Sequence, residues 1–456
     1  MEDRGMGEFR KKLHRVSPMK IILTGYLFII LVGAGLLCLP ISVKAGEGLT
    51  SFSDAVFTAA SATCVTGLVR FDTYTHWSFF GQLVILGLIQ VGGIGFMTFA
   101  IYVVSMTKKK IGLTTRVVMQ NAISAPQMGG IVKMTRFILM GSLLMEGIGA
   151  LRLSFYVCPR LGFFKGIWFG IFHSISAFCN AGFDLMGNMA AFSSLTTVGN
   201  NWYVNGIIMA LIVIGGLGFF VWKDLLNNRF SFKKLRLHSK LVVTMTGALI
   251  LIGAVLLFLF EQGNQNFVNM PASEKTLSVL FQSITARTAG FNSMDLTTMT
   301  QAGQFLLICL MFIGGSAGST AGGIKTTTFA VFLMSITATM RQKKNMEAFG
   351  RRVEDSAARV AASIFCMYLL LTLVVSMTIS SLEGLPLLTA LFESVSAMGT
   401  VGLTLGVTTS LGMVSKWLLI LLMFIGRVGS ITFLIAFSSD KNRAVSRLPV
   451  EKIQGG

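Results

Sequence analysis

The sequence predicts an all-α membrane protein of four parallel helix–pore-helix–helix repeats: eight transmembrane helices and four re-entrant pore segments around a central pathway. Three observations predict it. The 456 residues are 53% hydrophobic and only 12% charged, and apolar runs of spanning length recur along them. One short stretch is written four times: FTAASATCVTG (57–67), FHSISAFCNAG (172–182), FQSITARTAG (281–290) and FESVSAMGTVG (392–402). Each copy opens on Phe, runs through small residues and closes on Gly, and the openings lie 115, 109 and 111 residues apart, which marks a repeat protein. The basic residues are also bunched. Of the 38 Lys and Arg, 28 lie in 1–20, 107–136, 223–240, 341–359 and 440–456. The positive-inside rule puts all five segments on the cytoplasmic side, so the four repeats point the same way.

The elements follow in order. A basic tail, 1–20, leads into an apolar run over 21–41 that Pro40 ends or kinks. A polar loop and the first short stretch come next, and a long run over 79–106 ends at Lys108-Lys109-Lys110. The second unit has runs at 137–157 and 204–222, the third at 241–260 and 305–334, and the fourth at 360–379 and 417–437. The predicted units are 21–118, 119–240, 241–359 and 360–439, between cytoplasmic tails 1–20 and 440–456. Inverted repeats would put alternate linkers on opposite sides. The third copy of the short stretch is one residue shorter, so its register stays open. The first apolar run is too long for a cleavable signal peptide. The six Cys show no metal spacing and no disulfide framework. No basic run sits in a soluble domain, so nucleic acid is not expected as a partner.

Asp54, after Ser51 and Ser53, suits a helix N-terminus, and a half-helix would run to Ala62 or Thr63. Beyond it CVTGL, CNAGF, RTAGF and GTVGL read as extended backbone. Such backbone is tolerated at membrane depth only where it lines a watery path. Four segments around one axis make a ring of carbonyls, which can replace the water shell of a monovalent cation. Gly67, Gly182, Gly290 and Gly402 allow the backbone angles that aim carbonyls inward. Four half-helices would point their negative ends at the centre. Small residues also permit tight helix packing, but that alone does not account for four copies in equivalent places.

The segments SATCVTGL, SAFCNAGF, TARTAGFNS and SAMGTVGLT resemble the filter of the Trk/Ktr/HKT superfamily, and nearly the whole chain resembles its KtrB-type potassium-translocating subunit. The resemblance implies a single-chain imitation of a tetrameric potassium channel, with a central ion pathway. The expected ion-binding filter is Cys64, Val65, Thr66 and Gly67; Cys179, Asn180, Ala181 and Gly182; Thr288, Ala289 and Gly290; Thr400, Val401 and Gly402. In the plant branch Ser at the first filter Gly goes with sodium transport, so Gly67 matches the potassium pattern. Further implications are potassium as substrate, a possible sodium dependence, no covalent cofactor, and a homodimer on a cytosolic ring of nucleotide-binding KtrA-type regulatory subunits. The chain shows no regulatory domain of its own. The basic linkers and the tail from Lys441 would face that ring.

Each second apolar run has a Gly-rich centre: QVGGIGF (90–96), VIGGLGF (213–219), FIGGSAGSTAGGIK (312–325) and FIGRVGSITF (424–433). The third is too rich in Gly, Ala, Ser and Thr to hold a helix, so a broken helix with an intramembrane loop is expected. That loop, Gly314, Gly315, Ser316, Ala317, Gly318, Ser319, Thr320, Ala321, Gly322 and Gly323, is the candidate gate, as in the resembled family. Arg427 stands where other repeats have Gly93, Gly216 or Gly315. A charge there must face the interior and find acceptors, such as the loop carbonyls; a clamp between two units is the plainer reading. Glu146 suggests a buried structural pair, and His173 a half-helix residue. Arg287 should point away from the path and brace its strand. Asp72, Asp184 and Asp295 either draw cations to the outer mouth or are solvated loop residues.

The functional expectation is potassium uptake driven by the electrochemical gradient. The alternatives are a sodium- or ammonium-conducting relative, or an intramembrane enzyme. GGIKTTT (322–328) only partly echoes a phosphate-binding loop. Four His and one lone Glu146 supply no catalytic constellation, so an enzyme is not expected.

Overall fold

The computed structural model describes residues 18–95, 98, 131–343 and 345–429. The basic segments 108–110 and 440–456, and most of 1–20, lie outside them, as does the boundary expected at 118. Repeat 1 comprises α1 (Pro18–Leu37), pore helix α2 (Phe52–Thr63) and α3 (Phe79–Ile94). Repeat 2 comprises α4 (Ile131–Leu161), pore helix α5 (Phe163–Phe178), α6 (Trp202–Leu217) and α7 (Phe219–Asn227). Repeat 3 comprises α8 (Leu237–Phe260), pore helix α9 (Ala272–Thr285), α10 (Gln301–Phe312) and α11 (Thr326–Met340). Repeat 4 comprises α12 (Asp355–Glu383), pore helix α13 (Leu387–Gly399) and α14 (Met413–Val428). A two-stranded hairpin, β1 (Glu347–Ala348) with β2 (Arg351–Arg352), lies in the linker before α12.

Local chemistry sets the helix ends. Ser51 caps α2 by accepting from the Asp54 N–H, and Ser78, Asn201 and Thr300 cap α3, α6 and α10 in the same way. The first helix stops at Leu37, and Pro40 opens a 3₁₀ turn instead of continuing it.

Among the described residues, helices within α1 and α4, the α8 segment through Gly263, and α12 are long and apolar enough to cross a membrane. Their outer faces expose Phe28, Leu144, Leu251 and Val374, as expected of a lipid-facing belt. A break in the second segment is not confined to the third repeat: among the described residues, the regular helix ends on a glycine in the other three as well. Helices α3, α6 and α14 end on Gly95, Gly218 and Gly429, with φ of 90°, 92° and 90° and ψ of 124°, 139° and 134°. That backbone region favours Gly, and it falls at one equivalent place in three repeats. In repeat 2 the chain bends there by 93° between α6 and α7. In repeat 3 the break widens into 313–325.

The repeats close into a ring. The second helix of each packs on the pore helix of the next: α3 on α5, α6 on α9, α10 on α13, and α14 back on α2. The last contact is locked by an ion pair, Lys416 Nζ to Asp54 Oδ1 at 2.7 Å, nearly buried on both sides.

Candidate ion pathway

Each pore helix delivers the chain to one candidate filter segment, and the four have one backbone shape. They are not extended strands. Val65, Asn180, Thr288 and Thr400 have φ of 58°, 57°, 76° and 51°, and two residues later Gly67, Gly182, Gly290 and Gly402 have φ of 90°, 69°, 81° and 93°. Left-handed conformation costs a non-Gly residue about 1–2 kcal/mol, so each repeat holds one such residue by its surroundings. This shape fixes the register of repeat 3: Thr288-Ala289-Gly290 matches Val65-Thr66-Gly67. The missing residue falls in the last turn of the pore helix, where Ala286 and Arg287 replace three residues such as Ala62, Thr63 and Cys64.

The glycines meet around the axis. A Cβ on Gly67 would stand 2.5 Å from the Ala181 carbonyl oxygen, and one on Gly182 would stand 2.8 Å from that of Ala289. One on Gly290 would strike the Val401 oxygen, and one on Gly402 the Thr66 oxygen, which closes the circle. All four filter segments are buried. A hydroxyl behind each one braces it. Ser61 and Ser396 accept from the N–H of Gly67 and Gly402, and Ser176 and Thr285 donate to the carbonyls of Phe183 and Phe291. The residue after the opening Phe adds a second brace in two repeats. His173 Nε2 accepts from Leu185 N at 3.2 Å, and Glu393 accepts from Leu405 N at 3.1 Å and from Thr404 and Thr408. Sequence reasoning missed both braces, although the hydroxyl recurs in every copy.

Against the candidate filter lies the loop 313–325. Repeat 2 holds it through carbonyls of the broken helix and of the pore helix: Ser316 N donates to Gly216 O at 3.0 Å, Thr320 N to Gly215 O at 3.3 Å, and Thr320 Oγ1 to Phe178 O at 3.0 Å. Gly318 O accepts from Phe219 N, the first residue past the α6 break, and Gly323 N donates to Gly426 O. Arg427 reaches across. Its Nη1 donates to Thr320 O, and its Nη2 donates to Gly92 O and to Gly93 O, the latter at 2.9 Å. The guanidinium thus joins the loop to the C-terminal end of α3. Lys325 Nζ folds back onto Ala321 O at 2.7 Å. The loop touches the filter base as well, since a Cβ on Gly322 would strike Thr400 Oγ1.

The remaining candidates are structural joints. Glu146 accepts from Gln90 Nε2 at 2.8 and 3.1 Å, across repeats 1 and 2, and from Cys179 Sγ at 3.9 Å. Asp72 is buried and accepts from the N–H groups of Tyr74, Thr75 and Phe192, pinning the outer loops of repeats 1 and 2. Asp184 caps Met186 N and Asp295 caps Thr297 N. Arg287 is buried, with Nη2 3.4 Å from Gly314 O. No group of three or more His, Cys, Asp or Glu is placed to hold a metal among the described residues.

Comparisons agree with this architecture. The profile of the TrkH family, described as cation transport protein, matches residues 38–445. The chain is 42% identical to the potassium/sodium uptake protein NtpJ of Enterococcus hirae, over 97% of this chain and 98% of that one. It is 40% identical to the Ktr system potassium uptake protein B of Bacillus subtilis, over 94% of each. The Vibrio alginolyticus protein of that name is 35% identical over 91% and 90%. The fold matches the crystal structure of the potassium transporter TrkH from Vibrio parahaemolyticus at a TM-score of 0.73, covering 93% of this chain and 86% of that one at 18% identity. With a matching profile across nearly the whole chain and the fourfold ring beneath it, the chain belongs to the TrkH family of cation transport proteins.

Proposed function

We propose that this chain carries potassium into the cell, down the electrochemical gradient, through the ring of four filter segments. The observation that carries the proposal is the cyclic closure of the glycines: Gly67, Gly182, Gly290 and Gly402 each abut the carbonyl of the next repeat. Carbonyls so converged can stand in for the water of a dehydrated monovalent cation. Residues 64–67, 179–182, 288–290 and 400–402 coordinate the ion, and 314–323 with Arg427 restrain it from below. The repeat units are 21–118, 119–240, 241–359 and 360–439, with both termini in the cytoplasm. In this reading the protein is a translocator and not an enzyme. It works as a homodimer on a cytosolic nucleotide-binding ring of KtrA type, a partner supported by the Ktr-system names of its relatives. One relative is named for potassium and sodium together, which favours sodium as a second permeant or coupling ion.

The test is growth of a potassium-uptake-deficient bacterium on low potassium, with rubidium and sodium flux measured in liposomes. The parent should rescue growth, and Gly67→Ser should lower the rubidium-to-sodium flux ratio. Failure of the expressed parent to rescue or to pass rubidium would overturn the reading.

A further inference from the structure

Repeat 3 differs from the others at the junction of filter and pore helix. Elsewhere the residue before the filter triplet is small and uncharged: Cys64, Cys179 and Gly399. In repeat 3 it is Arg287, and the shortened last turn of the pore helix sets it directly before Thr288. Arg287 is 7% exposed, and among the described residues no carboxylate forms an ion pair with it. The Nη2 end reaches the first Gly carbonyl of the gate loop, Gly314 O, at 3.4 Å. The Nε has no partner among the described residues, and neither has Thr246 Oγ1 on α8. Both residues line a cavity of ≈ 10 Å³ between repeats 2 and 3, together with Gly216 and the loop residue Gly315. That is about the room one water needs, and the two free polar atoms are partners it could use.

We infer that Arg287 is a positioning residue that couples the filter to the gate loop, with its guanidinium bound to Gly314 and bridged by one water to Thr246. The inference rests on the proposed ion pathway and adds a mechanical link within it. Thr288 holds a left-handed conformation at the filter base. A change in ion occupancy that shifts its carbonyl must move the preceding residue, and the long side chain carries that movement to the loop. Isolated bracing of the strand needs no contact with Gly314, and a simple cation barrier needs no free polar atom beside Thr246. On the repeat 2 side Thr320 Oγ1 donates to Phe178 O, the residue before Cys179, and Gly322 lies close against Thr400; on the repeat 3 side Arg287 is the polar connection from filter to loop.

The test is hydrogen–deuterium exchange of the full-length protein in lipid nanodiscs, in potassium and in choline, read on peptides covering 313–325. In the parent, potassium should change the exchange rate of this loop at least twofold. Arg287→Gln should abolish the difference, and Arg287→Lys, which keeps the charge without the fork, should fall between them. The peptides of α12 serve as a control that a general loss of stability would move. A glutamine variant with the parent's potassium dependence, or a parent with none, overturns the coupling. If the glutamine variant does not fold, a lysine variant indistinguishable from the parent also overturns it, and a reduced dependence supports it. Rubidium flux by the parent is measured on the same preparation, so loss of the transport reading shows as absent flux and loss of the coupling as flux with an uncoupled loop.

Discussion

Arg427→Gln is the perturbation that bears most directly on the loop. The guanidinium makes three bonds to carbonyls, but only the one to Thr320 O reaches the loop; the other two end on Gly92 and Gly93. A hydrogen bond to a charged group contributes about 1.5–3 kcal/mol. If the Thr320 bond exists only when the loop lies across the path, its loss shifts the loop equilibrium by that amount. At about 1.4 kcal/mol per decade, the open population should rise roughly ten- to a hundredfold. The assay is initial rubidium uptake into liposomes holding the protein without any regulatory partner. Flux should rise by at least about tenfold at equal protein content, consistent with the loop share alone. Arg427→Lys, a point charge without the planar fork, should give a smaller rise. Glutamine also leaves the α3 carbonyls short of donors, so the melting temperature must be followed alongside. Unchanged or lower flux from a variant that melts like the parent would refute the argument, because the Thr320 bond would then not restrain the loop.

Other outcomes follow from the same geometry. Gly402→Ala forces a Cβ against Thr66 O at a φ of 93°; it should cost at least about 1–2 kcal/mol in thermal or denaturant stability and lower the rubidium-to-sodium flux ratio without closing the path. Lys416→Met should destabilise the ring closure between repeats 4 and 1. A double-mutant cycle with Asp54→Asn should return a coupling of about 1–3 kcal/mol, somewhat reduced because Arg70 Nε also lies 3.6 Å from Asp54. Ser396→Ala removes the acceptor of the Gly402 N–H; it should cost about 1 kcal/mol and lower the rubidium-to-sodium flux ratio. Glu146→Ala strands Gln90 and should cost about 1–3 kcal/mol of stability, whereas Glu146→Gln, which keeps an acceptor, should cost less on the same melting assay.

Much of the architecture was legible because it is repeated. Phe57, Phe172, Phe281 and Phe392 with their closing glycines announce the pore segments, and the bunched Lys and Arg announce a common orientation. The breaks at Gly95, Gly218 and Gly429 were harder to read. A Gly inside an apolar run looks like a packing residue, and only the torsions show that the helix stops there. The register of repeat 3 depends on where one residue is missing, which pattern matching cannot assign but the left-handed Thr288 does. The pairing of Glu146 with Gln90 joins residues 56 apart, and that of Lys416 with Asp54 joins residues 362 apart. Local spacing holds no information about such partners. The Ser and Thr hydroxyls behind the filter recur in every copy, but their use depends on the curl of the backbone around them.

Encoding the ring in one polypeptide changes what a point mutation can do. In an assembly of four identical subunits, every substitution appears four times, and an arginine beside the axis would bring three more with it. Here Arg427 and Arg287 each occur once, and the other quadrants keep small residues opposite them. A single cation can therefore approach the pathway without crowding it with like charge, and one quadrant can specialise as machinery while the remaining three preserve the aperture. Mutational damage is divided in the same way: a lesion at one filter glycine distorts one wall of the ring and leaves three intact, so graded loss of discrimination is the expected pattern from such lesions, in place of all-or-none closure.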